Sequence, residues 1–257
     1  MILLNSKKIV YVRPPKTGST SAFLYFMNSG LFNKSKDVYA LDLPFNNWKS
    51  LEEHFYKNKN NYLDLKTYPT YNTFNKKLNR CVHISFNELK KQVNEIDNSY
   101  VCYSTIRNPI ERICALYNYE MQCRSYNHPK RWNRPETHEK PYPKVINVPT
   151  FHTLPDMNEF CYIVCSSYLS ETLHNMTKDQ HSFFPKHSIL WNTENLHEHA
   201  KKDLLKLGGK VNKKIHVRHK TNNIEYKKQL STEVIDMITK KYCKDFELWE
   251  KAYAVYN

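Results

Sequence analysis

A chain of 257 residues can bury a substantial core as a single α/β domain, and no Gly/Ser-rich or low-complexity linker divides it. With 39 Lys and Arg against 25 Asp and Glu, the formal net charge is +14, which points to an acidic partner: a nucleotide, an anionic glycan, nucleic acid or an anionic membrane surface. Seven cysteines without Cys-x-x-Cys spacing exclude a zinc ribbon and a full disulfide framework, and the lack of a membrane-length apolar run or signal-peptide pattern predicts a soluble chain. Cys161 and Cys165 have the spacing either of a pair bridged across a turn or of free thiols packed along a helix.

In chain order, residues 8–12 read as a buried strand and residues 20–28 as a helix with Phe23, Phe26 and Met27 on its apolar side. Residues 33–79 are polar and aromatic with weak periodicity, and read as loops and short helices over a sheet edge, where binding residues commonly sit. Strands are predicted at 81–86 and 100–106, the second running into Arg107-Asn108-Pro109 and a helix from about Ile110. From 124 to 149 prolines alternate with basic and aromatic residues, which predicts a long surface loop. Residues 188–192 read as a late strand, and Leu196, Ala200, Leu204 and Leu207 share one face of a helix that Gly208-Gly209 ends. A final helix from about Ser231 carries Ile235, Ile238, Tyr242, Phe246, Trp249 and Tyr253 as a core stripe. Strands alternating with helices predict an α/β fold with a parallel sheet flanked by helices and ligands at the carboxyl ends of its strands.

The segment Arg13-Pro14-Pro15-Lys16-Thr17-Gly18-Ser19-Thr20-Ser21 carries the strongest chemical signal. A strand breaks at two prolines, and a small-residue turn opens a helix whose leading N–H groups lack intrahelical partners, so anions are favoured there. Lys16 adds a full charge, Gly18 admits close approach of a phosphate, and Ser19, Thr20 and Ser21 offer hydroxyl donors. The lysine precedes the glycine, so this is not a Walker A loop.

Pro-Lys-Thr-Gly-Ser-Thr-Ser after a first strand resembles the 5′-phosphosulfate loop of sulfotransferases that use 3′-phosphoadenosine 5′-phosphosulfate (PAPS). Arg107-Asn108-Pro109-Ile110-Glu111-Arg112 resembles the Arg-Asp-Pro-x-x-Arg segment of the same enzymes, whose first arginine grips the 3′-phosphate, a task suited to a guanidinium fork. Asn108 replaces the family's aspartate, and Ala115 stands where the family has a phosphate-binding serine. His83-Ile84-Ser85-Phe86 is similar to the His-Val-Ser-Phe element of the heparan sulfate and uronosyl 2-O-sulfotransferases, whose histidine is the catalytic base; a second histidine two residues upstream is Cys81 here. Thr193-Glu194-Asn195-Leu196 and the basic stretch His216-Val217-Arg218-His219-Lys220-Thr221 extend the resemblance, which is clear at 9–27, 81–117 and 190–250 and poor at 31–79 and 120–185.

The resemblance implies a P-loop-like sulfotransferase fold over residues 1–257, with acceptor-recognition insertions near 31–79 and 120–185. It implies PAPS as donor, adenosine 3′,5′-bisphosphate as product and a carbohydrate acceptor, an anionic glycan in the first place. His83 would take the acceptor proton, Lys16 would stabilise the departing oxygen, and Arg13 would sit near sulfate or acceptor. Thr17, Gly18, Ser19, Thr20, Ser21, Arg107, Arg218, Lys220 and Thr221 would hold the nucleotide. Arg124, Arg131 and Arg134, in the basic aromatic stretch, are expected to pair with acceptor carboxylates or sulfates. No metal and no nucleic-acid partner are expected, His197 and His199 lacking a carboxylate or cysteine at ligand spacing. The compartment is cytoplasmic by default, or the Golgi lumen if the chain is part of a longer family member. A kinase-like phosphotransferase lacks Walker spacing and a magnesium carboxylate, and a noncatalytic nucleic-acid binder lacks a recognisable module.

Overall fold

The computed structural model describes residues 1–31, 38–39, 83–93, 96–124, 156–165, 176–211 and 223–255. These group into two compact units. The first comprises Met1–Arg107, Gln180–Arg218 and Leu248–Asn257, and the second Asn108–Asp179 and His219–Glu247.

The first unit is built on a sheet of β1 (Ile2–Leu4), β2 (Ile9–Tyr11), β3 (Val38–Tyr39), β4 (Val101–Ile106) and β5 (Ile189–Asn192), in the order β3-β1-β2-β4-β5. β2, β4 and β5 are parallel, with Ile9 opposite Val101 and Tyr103 opposite Ile189. β1 pairs antiparallel with β2 and with β3, so the predicted parallel sheet carries an antiparallel edge. The hairpin turns through residues 5–7, and β1, three residues long, is too short to register by its pattern.

Side chains alternate across a strand, and here both faces are apolar. Ile2, Leu4, Ile9, Tyr11, Tyr103 and Trp191 pack on one face against Phe23 and Phe26 of α1 (Ser19–Asn28) and Ala200 and Leu204 of α5 (Leu196–Lys206). Leu3, Val10, Val12, Cys102 and Ile106 pack on the other, against Phe86 and Leu89 of α2 (Phe86–Gln92), Phe183, Phe184 and Ala252. Two covered faces explain why residues 9–12 form a continuous apolar run. Trp191, fully buried, stacks on Phe26 at 4.9 Å and donates its indole N–H to Asp203 at 2.8 Å, so the polar atom of the largest core side chain is satisfied.

The second strand prediction needs correction. Within 81–86, residues 83–85 form a turn and coil, and Phe86 begins α2; Cys81 and Val82 lie outside the described residues. Val82, Ile84 and Phe86 imitate strand alternation, but Ser85 and Glu88 form a capping box: Ser85 Oγ accepts from the Glu88 N–H at 3.2 Å, and Glu88 Oε2 accepts from the Ser85 N–H at 3.0 Å.

The second unit is helical: α3 (Pro109–Arg124), α4 (Met157–Cys165), α6 (Asn223–Lys228), α7 (Thr232–Lys241) and the start of α8 (Cys243–Ala254). Its core joins Ile113, Leu116, Phe160, Val164, Val234, Ile238 and Tyr242. Arg112 is buried there and donates to the Met176 carbonyl at 2.9 Å; burial pulls its pKa down, opposed by Tyr242, Asp245 and Asp179. Cys161 and Cys165 both lie on α4 as free thiols, and burial pushes both thiol pKa values up. The predicted final helix is broken at Tyr242 (φ −107°, ψ 29°) into α7 and α8. The break resets the stripe: Ile238 and Tyr242 are buried, but Tyr253 is exposed and Ala252 takes the core position.

His199 on α5 is buried, and burial holds its pKa down to about 4 from the usual 6.5, with Lys202 one turn on adding to the effect. The folded state therefore refuses a proton that the unfolded chain accepts. Stability is full above about 6.5 and falls as pH drops from there toward 4, a loss on the order of 2–3 kcal/mol. Melting temperature against pH for the wild type and His199→Gln should show a flatter acid limb in the variant, and parallel acid limbs would contradict this assignment.

Candidate active site

The candidate site is assembled within the first unit at the carboxyl ends of β2 and β4. The Val12 N–H still bonds the Tyr103 carbonyl at 3.0 Å. Pro14 and Pro15 have no N–H to continue the ladder, and the chain turns. Lys16 (φ 62°) and Gly18 (φ 70°) both take left-handed backbone, a conformation costly for lysine and free for glycine. A Cβ at Gly18 would meet Thr193 Cγ2 at 3.0 Å, so space and φ both demand glycine.

Buried side chains hold the loop. Thr17 Oγ1 donates to the Pro14 carbonyl at 2.8 Å, and with that single proton used, Thr105 Oγ1 donates to Thr17 Oγ1 across 2.7 Å. Thr193 Oγ1 lies 3.0 Å from the Thr17 carbonyl and 3.1 Å from that of Ile106, sharing its proton between loop and strand end. The Tyr11 hydroxyl donates to the Ser19 carbonyl at 2.9 Å. Burial pushes the Tyr11 pKa up, with nearby Arg13 pulling the other way, so the phenol stays a neutral donor.

Gly18 is the N-cap of α1 and no side chain caps the helix; the Ser21 and Ala22 N–H groups bond the Gly18 carbonyl at 2.9 and 3.2 Å, and the amides before them have no carbonyl of a preceding helical turn to bond. Ser19 and Ser21 are buried at this end, and Thr20 Oγ1 accepts from Arg13 Nη2 at 3.0 Å. Arg13 is itself buried, with its guanidinium 5.3 Å from the Phe23 ring centre. Its charge thus stands beside the helix dipole's positive end, and together they favour an anion there.

Two further segments reach this loop. His83 Nδ1 lies 2.6 Å from the Arg13 carbonyl oxygen. A carbonyl only accepts, so Nδ1 carries the proton and the basic lone pair of the neutral ring is on Nε2. Arg107 Nη1 points at the Lys16 carbonyl at 3.5 Å. Of the sequence-predicted residues, Arg13, Lys16, Thr17, Gly18, Ser19, Thr20, Ser21, His83 and Arg107 are brought together. Asn108 keeps the capping role open to an aspartate, its Oδ1 accepting from Ile110 and Glu111 amides at 3.0 and 3.3 Å.

A family model described as the sulfotransferase family matches residues 1–254. The chain belongs to the sulfotransferase family. It is a transferase of sulfuryl groups, and its mixed α/β architecture agrees with that fold. No curated protein and no solved structure matches the chain. Among the described residues no helix is long and apolar enough to cross a membrane.

Arg131, Arg134, Arg218, Lys220, Thr221 and the Arg124 side chain lie outside the described residues. Sequence reasoning missed three residues that shape the site. Thr105 and Thr193 each sit at a strand's carboxyl end, where a small hydroxyl residue is a usable signal. Gln180, 73 positions from Arg107, carries no local signal at all.

Proposed function

We propose that this sulfotransferase takes PAPS as its donor and a carbohydrate hydroxyl, in the first place on an anionic glycan, as its acceptor. The observation that carries the reading is the meeting of three distant segments at one uncapped helix N-terminus: Lys16 to Ser21, His83 on the Arg13 carbonyl at 2.6 Å, and Arg107 on the Lys16 carbonyl at 3.5 Å. The left-handed turn at Gly18 opens the helix whose N-terminus favours a phosphate.

PAPS supplies an activated sulfuryl group on a phosphate leaving group. In this reading the amides of 17–20 hold the 5′-phosphate, the Ser21 N–H being bonded to the Gly18 carbonyl at 2.9 Å, and Lys16 neutralises charge on the oxygen that parts from sulfur. Arg107 pairs with the 3′-phosphate, and His83 Nε2 accepts the proton of the acceptor hydroxyl. Arg13 adds positive potential at the sulfate end. Arg218, Lys220 and Thr221 are assigned to the nucleotide, and Arg124, Arg131 and Arg134 to an anionic acceptor, on the resemblance of the sequence alone. Positioning and charge stabilisation carry such a transfer, as in phosphoryl transfer.

Calorimetry with adenosine 3′,5′-bisphosphate tests the donor. Tight binding is expected, and Arg107→Ala should weaken it about 10–100-fold, the range for one charge-assisted contact held through the reaction. Stabilisation by ATP with Mg²⁺ but not by the bisphosphate would overturn the reading in favour of phosphotransfer. Salt-sensitive RNA or DNA binding indifferent to the nucleotide would overturn it in favour of nucleic-acid recognition.

A further inference from the structure

We infer that Gln180 is a positioning residue for Arg107, and through it sets the enzyme's preference for a nucleotide bearing a 3′-phosphate. The inference rests on the reading of Arg107 as the 3′-phosphate contact.

Past Ile106 the sheet no longer supports the chain: the Thr193 N–H bonds the Ile106 carbonyl at 3.0 Å, and Arg107 follows. There Gln180 takes over both backbone groups. Its Oε1 accepts from the Arg107 N–H at 2.9 Å, and its Nε2 donates to the Arg107 carbonyl at 2.9 Å. A carboxamide presents donor and acceptor side by side, as one residue of an extended strand presents its own N–H and C=O, so the side chain acts as one more rung of the ladder. Gln180 is fully buried. It opens a short 3-10 helix, Gln180–Phe183, with Phe183 and Phe184 anchored in the core.

The two bonds fix Arg107's backbone while leaving its side chain to the loop. Its guanidinium, which reaches the Lys16 carbonyl at 3.5 Å, hangs from four rotatable side-chain bonds. A fixed Cα limits where the fork can present itself, so less freedom is lost on pairing with phosphate. Without Gln180, a half-buried N–H and carbonyl seek new partners and the arginine's origin shifts with them.

The test compares binding of adenosine 3′,5′-bisphosphate with adenosine 5′-monophosphate by calorimetry, in the wild type, Gln180→Met, Arg107→Ala and the double variant. The wild type is expected to favour the bisphosphate. Gln180→Met, similar in shape but unable to make either bond, should cut that preference about tenfold or more. The double variant should lose no more than Arg107→Ala alone, because both act through one contact. A merely structural Gln180 would lower both affinities in parallel and leave their ratio intact, which overturns the proposal while the donor assignment stands. A wild type without preference for the bisphosphate overturns the role of Arg107 itself, and the proposal with it. Should Gln180→Met not fold, Gln180→Glu retains the acceptor for the Arg107 N–H and loses the donor to its carbonyl when ionised. An intermediate ratio is expected there, and a wild-type ratio overturns the proposal.

Discussion

Lys16→Ala is expected to lower kcat by about 10²–10³-fold, the usual cost of deleting one group aimed at developing charge. The fold should survive. Lys16 sits in a left-handed turn at φ 62°, a conformation that alanine finds as awkward as lysine does, so backbone strain is unchanged and the variant isolates the ammonium. Its neighbour Thr17 is held by bonds to Pro14, Thr105 and Thr193. Sulfuryl transfer measured beside a thermal melt separates the two effects. A melting temperature within a few degrees of wild type together with near-normal turnover would remove Lys16 from the chemistry.

His83→Ala is expected to reduce kcat by about 10²–10⁴-fold with little change in affinity for adenosine 3′,5′-bisphosphate, as general-base loss does. His83→Asn is the sharper variant. Its amide can still donate to the Arg13 carbonyl that now accepts from Nδ1 at 2.6 Å, but it offers no imidazole lone pair. If the histidine serves only to tether the loop, the asparagine variant keeps its activity. If it is the base, the asparagine variant is as inactive as the alanine one, and stable.

Much of the site was legible because its chemistry is local. Two prolines, a lysine, a glycine and three hydroxyl residues in one run dictate a strand, a break and an uncapped helix start, and these are found at Ile9–Tyr11 and Ser19–Asn28. Arg107 was singled out by resemblance, and its place between a strand and a helix-opening proline agreed with it. His83 was found by resemblance but placed on the wrong kind of element. Apolar alternation at Val82, Ile84 and Phe86 outweighed the Ser85-x-x-Glu88 signature, although a capping box is the more specific signal because it needs two particular side chains three apart. The break at Tyr242 interrupts a stripe whose spacing is equally good for one long helix, and helical periodicity cannot say where packing ends it. Gln180 lies furthest from reach, since its partners are backbone atoms and any glutamine could serve them.

Thr193 divides a single proton between the carbonyls of Thr17 and Ile106, so the loop that would cradle one end of the donor and the strand end that would present Arg107 to the other share a fastening. The two carbonyls compete for that proton, but one side chain restrains both, so ordering either leaves less freedom for the other to lose when it is seated. The two phosphates of one nucleotide would then reinforce each other's binding, and a fragment carrying only one of them should bind less than its share of the contacts suggests.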